Sequence, residues 1–174
     1  IDSYYAAWLY TYHPREWIAT VLQSENNSPN GLAKTIREVK VLGYKFAPSD
    51  INYSGEEWDY NPERNAFIPP LSSIKGVGGK AMEEIIEARP FRNLRELFFN
   101  EEGKWRHSKV NKTCFGALCQ IEAFASLQEF QDGDLENHRQ LYHLIVDNYE
   151  QIRKSDEGKK KWLDKLEAIG DKNR

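Results

Sequence analysis

The chain has 174 residues, 40% of them hydrophobic and 13% aromatic, enough to bury the core of one ordinary domain or two small ones. That composition excludes disorder throughout, no apolar run is long enough to span a bilayer, and no charged-then-apolar N-terminal segment suggests secretion. The net charge of −3 gives no overall attraction to a polyanion, yet residues 71–112 balance to +3 while residues 1–70 and 113–174 balance to −3 each.

The first residue is Ile1, not Met, which reads as a fragment or a processed chain. Apolar residues from Tyr4 to Leu22 recur at helical spacing, and Pro14 divides them into two helices meeting near His13. The stripe Trp8, Tyr12 and Trp17 reads as core rather than as a base-stacking platform. "SENNSPNG" is a loop with capping residues. Leu32 to Leu42 predicts an amphipathic helix, stopped at Gly43. "YKFAP" is a short extended piece, a strand is expected around Trp58–Tyr60, and "AFIPP" is a strand ended by prolines. The acidic "EEWD" at 56–59 is a solvated turn.

Helices are expected at 71–75, 79–88, 93–99 and 108–120, then near 136–154, with "KSDEGKKK" a charged break and "KWLDKLEAIG" a last short helix. The fold class is therefore mostly α, with a few short strands. The organisation expected is 1–68, 69–127 and a helical tail 128–174 of unassigned role.

"IKGVGGKA" at 74–81 fits hydrophobic-x-Gly-hydrophobic-Gly-x-x-Ala between two helices. The glycines permit the positive φ of a very tight turn and let a ligand approach the backbone. The second helix starts near Gly78 or Gly79, so its free N–H groups and positive dipole end form an anion site. Lys75 and Lys80 add charge at its edges. Val77 serves as a hydrophobic pin, Ala81 allows close packing, and Ile74, Met82, Ile85 and Ile86 supply the apolar interface. These are the features of a helix-hairpin-helix motif, which grips the DNA backbone without reading bases. The plainer alternative is a tight αα-corner with no ligand. A dinucleotide fold or a P-loop is disfavoured, because no suitable strand precedes the glycines and no Gly-Lys-Ser/Thr is present.

"YYAAWLYTYHPREWIATVL", "LAKTIREVKVLGYKFAPSDIN", "LSSIKGVGGKAMEEIIEARPFRNLRELF" and "SKVNKTCFGALCQIEAFASL" occur in that order. Together they resemble the C-family replicative DNA polymerases, the alpha subunits of bacterial DNA polymerase III, from about residue 3 to residue 127. The matching part is the end of the fingers and the helix-hairpin-helix region. Drift from the family also suits a virus-encoded version.

The resemblance implies a fragment of a DNA-directed DNA polymerase, a nucleotidyltransferase, whose catalytic aspartates lie upstream. This chain alone is then not an enzyme and carries no cofactor, while the complete polymerase uses magnesium. The implied partners are the primer–template duplex, the remainder of the polymerase and a sliding clamp, with no membrane, in the cytoplasm at the nucleoid. The contact residues carried over are Lys75, Gly76, Val77, Gly78, Gly79 and Lys80. Two departures stand out: Tyr10 replaces a usual Lys or Arg, and "IEAF" puts Glu122 where a second, degenerate hairpin has Gly. A carboxylate there repels phosphate, which leaves Lys109 and Lys112 as side-chain contacts.

Other constellations weigh less. Glycosylases that use this hairpin place a catalytic Asp soon after it, and no Asp occurs between Asp59 and Asp132. His107, Cys114 and Cys119 lack the paired Cys-x-x-Cys spacing of a zinc site and read as structural. "RQLYHL" at 139–144 is faintly like a clamp-docking peptide, but Leu141, Leu144 and Ile145 fit an ordinary helix face. "GKKKW" reads as a solvated run. A protein-interaction module with a purely structural hairpin stands as the alternative function.

Overall fold

The structure, a computed structural model, describes residues 2–171. The chain divides into two compact units. The first holds residues 1–49 and 53–73, the second residues 50–52 and 74–174.

In the first unit α1 (Asp2–Tyr12) runs to His13, and α2 (Pro14–Ser24) starts with its proline in the first turn, where the missing N–H costs nothing. Ile18 and Leu22 of α2 meet Val39 of α3 (Pro29–Val41) and two aromatic residues, Trp58 and Phe67, in a small core. Strands β1 (Asp59–Asn61) and β2 (Ala66–Ile68) pair antiparallel, with Tyr60 opposite Phe67. "YKFAP" adds a bridge from Phe46 to Phe67. Trp58 is fixed twice: its backbone N–H donates to Gln23 Oε1 and its indole N–H to Asn26 Oδ1, both at 3.0 Å.

The aromatic stripe departs from expectation. Trp8 and Tyr12 are 41% and 65% exposed, and Trp17 is half-buried. The residues that alternate around α1 are apolar on every side, so packing on α2 cannot cover them all. Trp8 instead stacks along its own helix on Tyr5, at a centroid distance of 6.2 Å, and meets Tyr12 at a tilt, at 5.4 Å.

The second unit follows a 3-10 turn at Leu71–Ser73. It comprises α4 (Gly79–Ala88), α5 (Leu94–Phe98), α6 (Lys112–Gln120), α7 (Gln128–Gln131), α8 (His138–Lys154) and α9 (Asp156–Asp171). Asparagine side chains cap α5, α6 and α8 through Asn93, Asn111 and Asn137. Phe98 sits at the centre of the core, against Trp105, Phe115 and Trp162. Leu141 of "RQLYHL" and Ile145 just after it are buried, as an ordinary helix face requires.

The expected charged break at 154–161 narrows to Ser155: Lys154 closes α8 and Asp156 opens α9. Asp156 and Glu157 sit in its first turn and pair with Lys159 and Lys161 one turn on, which suits the helix dipole. Trp162 anchors this helix, its indole donating to the Leu144 carbonyl at 3.2 Å. Residues 50–52 are stitched in by hydrogen bonds: Asp50 accepts from the Asn52 N–H and from both Ser126 donors, and Asn52 pairs in both directions with the Phe91 backbone.

Residues 108–111 were expected to begin α6, but they are not helical. The Glu84 carboxylate on α4 takes their donors instead. It accepts from the N–H groups of Ser108 and Lys109 at 2.9 Å and from Ser108 Oγ at 2.8 Å, and lies 3.2 Å from His107 Nδ1. His107 is buried and bonds the Leu97 carbonyl through Nε2. Burial keeps the His107 imidazole below its usual range, against the opposing pull of Leu97 and Glu84. At Glu84 burial acts upward but is outweighed by the bonds from Ser108, Lys109 and Val110, so the carboxyl lies below its ordinary 4.5.

A depressed carboxyl stabilises the fold above pH 4.5, and that contribution fades as pH falls through the folded-state value. Glu84→Gln should therefore cost about 1.5–3 kcal/mol at neutral pH, the range of charge-assisted hydrogen bonds. In urea titrations the gap between variant and parent should narrow on acidification below pH 4.5. A gap that stays constant with pH contradicts this role.

Candidate nucleic-acid interface

The glycine hairpin joins the 3-10 turn to α4, and its three glycines do different work. Gly76 has φ +105°, and a Cβ there would lie 3.0 Å from the Ala117 Cβ of α6. Both conformation and packing demand glycine at that position. Gly78 is extended, at φ −78° and ψ 160°, and Gly79 is the first helical residue. A Cβ on either meets nothing within 4 Å. The expectation that the glycines jointly supply positive φ is thus corrected: Gly76 alone does so.

Val77 is 8% exposed and its N–H donates to the Ile74 carbonyl at 3.1 Å, so its side chain is buried and its N–H is engaged within the turn. Ile74, Ala81, Met82 and Ile85 are buried beside it, while Ile86 is half-buried.

The start of α4 differs from those of α5, α6 and α8, because no side chain caps it. The first bond into the helix runs from the Met82 N–H to the Gly78 carbonyl at 2.9 Å. The N–H groups of Gly79, Lys80 and Ala81 therefore have no acceptor among the described residues. Lys75, Lys80, Lys109 and Lys112 are exposed. Among the described residues none of them forms an ion pair. Lys112 opens α6, one residue before Thr113, whose carbonyl lies 3.8 Å from the Cβ position of Gly76. The structure thus brings the start of α6 against the glycine turn, and Glu84 ties Lys109 to the middle of α4.

A family profile described as the helix-hairpin-helix motif matches residues 43–132, more than half of the chain. The chain belongs to the helix-hairpin-helix family. It is also similar to part of several proteins named DNA polymerase III subunit alpha. That of Campylobacter jejuni is 32% identical over 127 residues, 70% of this chain and 10% of the relative. That of Aquifex aeolicus is 33% identical over 126 residues, again 70% and 10%. That of Pasteurella multocida is 24% identical over 189 residues, 98% of this chain and 16% of the relative. The chain therefore spans only a small part of the length of these relatives.

The second turn of this helix-hairpin-helix region carries Glu122 at φ +59°, the left-handed region that favours glycine. Its N–H donates to the Cys119 carbonyl at 3.1 Å, so the tight turn forms while an exposed carboxylate occupies its tip. Cys114 and Cys119 are buried free thiols, pushed by burial up to about 11 and about 12, which makes them poor nucleophiles and poor ligands at neutral pH. His107, Cys114 and Cys119 do not converge, and among the described residues no group of three His, Cys, Asp or Glu side chains is placed to hold a metal ion. No described helix is long and apolar enough to cross a membrane.

Glu84 escapes sequence reasoning, since its partners lie 23 to 26 residues away and no local motif links them.

The two kinds of glycine should separate on substitution. Gly76→Ala should lower stability by about 1–3 kcal/mol, through positive φ and the clash with Ala117. Gly79→Ala should leave stability unchanged or raise it by up to about 1 kcal/mol, since alanine favours the helix. Thermal denaturation of the two variants checks this, and equal losses contradict it.

Proposed function

We propose that this chain is the part of a C-family replicative DNA polymerase that holds the primer–template duplex by its phosphates, with little sequence preference. One observation carries the reading: Gly78 and Gly79 are required by neither conformation nor packing, and they leave three unpaired N–H groups open at the start of α4. Such a terminus offers donors and a positive dipole end to a phosphate oxygen, and a side chain at either glycine would stand in its way. Lys75 and Lys80 supply the charged rims. Lys109 and Lys112 add side-chain contacts from the element that Glu84 positions. Glu122 keeps the second turn from doing the same through its backbone.

The similarity to DNA polymerase III alpha subunits supports a role in replication. In this reading the catalytic aspartates and their magnesium belong to sequence outside residues 1–174, the remainder of the polymerase is the main protein partner, and the work is done in the cytoplasm at the nucleoid. A sliding clamp is a further partner of the complete polymerase. It would not dock through "RQLYHL", since Leu141 is committed to the core.

Backbone gripping is electrostatic and releases counterions, so duplex binding should weaken steeply with salt. In fluorescence anisotropy, Lys75→Ala with Lys80→Ala should weaken binding uniformly across sequences and lower the log–log salt slope by about 2. Unchanged affinity and slope overturn the assignment and favour an interaction module with a structural hairpin.

A further inference from the structure

A cleft of about 690 Å³ opens at the other end of α4 from the glycine turn. It lies between the end of that helix at Ala88, the capped start of α5 and the loop from Phe99 to Arg106. Ten residues of helix put about 15 Å between the two places. Arg92, Arg95 and Arg106 line the cleft, and among the described residues none of them forms an ion pair. Two carboxylates also line it, but Glu96 is engaged by the Arg92 backbone N–H at 2.9 Å, and Glu101 is exposed.

Arg106 is the informative member. Its guanidinium is half-buried and lies 5.7 Å above the Phe91 ring. Its Nη1 and Nη2 donate to the carbonyls of Ala88 and Phe99 through long bonds of 3.3 Å, and its Nε is buried with no acceptor. A guanidinium partly withdrawn from water, short of acceptors and in no ion pair among the described residues is costly to keep. Two amide side chains in the same wall have spare donors: Asn93 and Asn100 use their oxygens to accept from backbone N–H groups, and their NH2 groups have no acceptor among the described residues. The wall is rich in donors and short of acceptors.

We propose that this cleft binds a phosphate group, with Arg106 as its fixed charge and Arg92 and Arg95 as mobile arms. Planar guanidiniums match the tetrahedral oxyanion through paired N–H donors. The phosphate comes either from a DNA strand that continues past the glycine turn, which rests on the function proposed above, or from a free phosphate or nucleotide, which does not.

The test uses the 174-residue chain, inorganic phosphate and pyrophosphate as probes, and the ¹⁵N–¹H signals of the arginine Nε groups. The expected result is a saturable shift at Arg106, with affinity lowered at least tenfold in Arg92→Ala with Arg95→Ala. Both arms are exposed, so the amide spectrum of the core reports whether the variant stays folded. A non-saturating shift, or one equal in parent and folded variant, overturns the proposal. So does a saturable shift with a glutamate-rich peptide and none with phosphate. Anisotropy with duplex DNA then separates the sources: a salt slope lowered by about 1–2 in the double variant assigns the site to the DNA backbone. An unchanged slope with lost phosphate binding assigns it to a free phosphate.

Discussion

The Glu84 carboxylate holds the candidate interface together. It sits in the middle of α4 and accepts hydrogen bonds from consecutive donors at Ser108, Lys109 and Val110, with His107 beside it. Those donors lie just ahead of α6, whose flank meets Gly76. One side chain therefore fixes the approach to α6 against the helix that the glycine turn introduces. Without it, the N–H groups of 108–110 would need water, or a helical turn that Asn111 already ends as the cap of α6. A single half-buried anion, engaged by the donors of 108–110, leaves the exposed lysines without an ion pair among the described residues.

The glycine turn then divides its labour. Gly76 satisfies the fold, being the position where the chain turns through positive φ and presses on Ala117. Gly78 and Gly79 satisfy no demand of the fold, and the start of α4 beside them has no side-chain cap, whereas asparagines cap α6 and α8 and Ser155 Oγ accepts from the Gly158 N–H at the start of α9. An unsatisfied helix start is a cost to stability that becomes an asset when an anion fills it. The two roles are separable by mutation because they fall on different residues.

Much of this was legible in the sequence. The helices at 79–88 and 138–154 follow from apolar spacing, and the motif at 74–81 located the glycine turn ahead of α4. What escaped was set by distant partners. The stretch 108–111 has helical character but loses its donors to Glu84. The aromatic residues of α1 look like core because they are apolar, yet burial depends on what packs on them. The arginine cleft has no signature at all, since its charges come from two loops and a short helix. The equivalence of the three glycines was also misleading: one-letter spacing records where bare backbone occurs, while the φ angles tell which glycine the fold needs.

The central claim is that the open N–H groups at the start of α4 hold a phosphate. The most direct measurement is the backbone ¹⁵N–¹H spectrum of the chain titrated with a short DNA duplex. The account predicts that the amide protons of Gly79, Lys80 and Ala81 move downfield, saturate together with binding, and return as salt is raised. Binding that leaves these three amides unmoved while shifting others would contradict it.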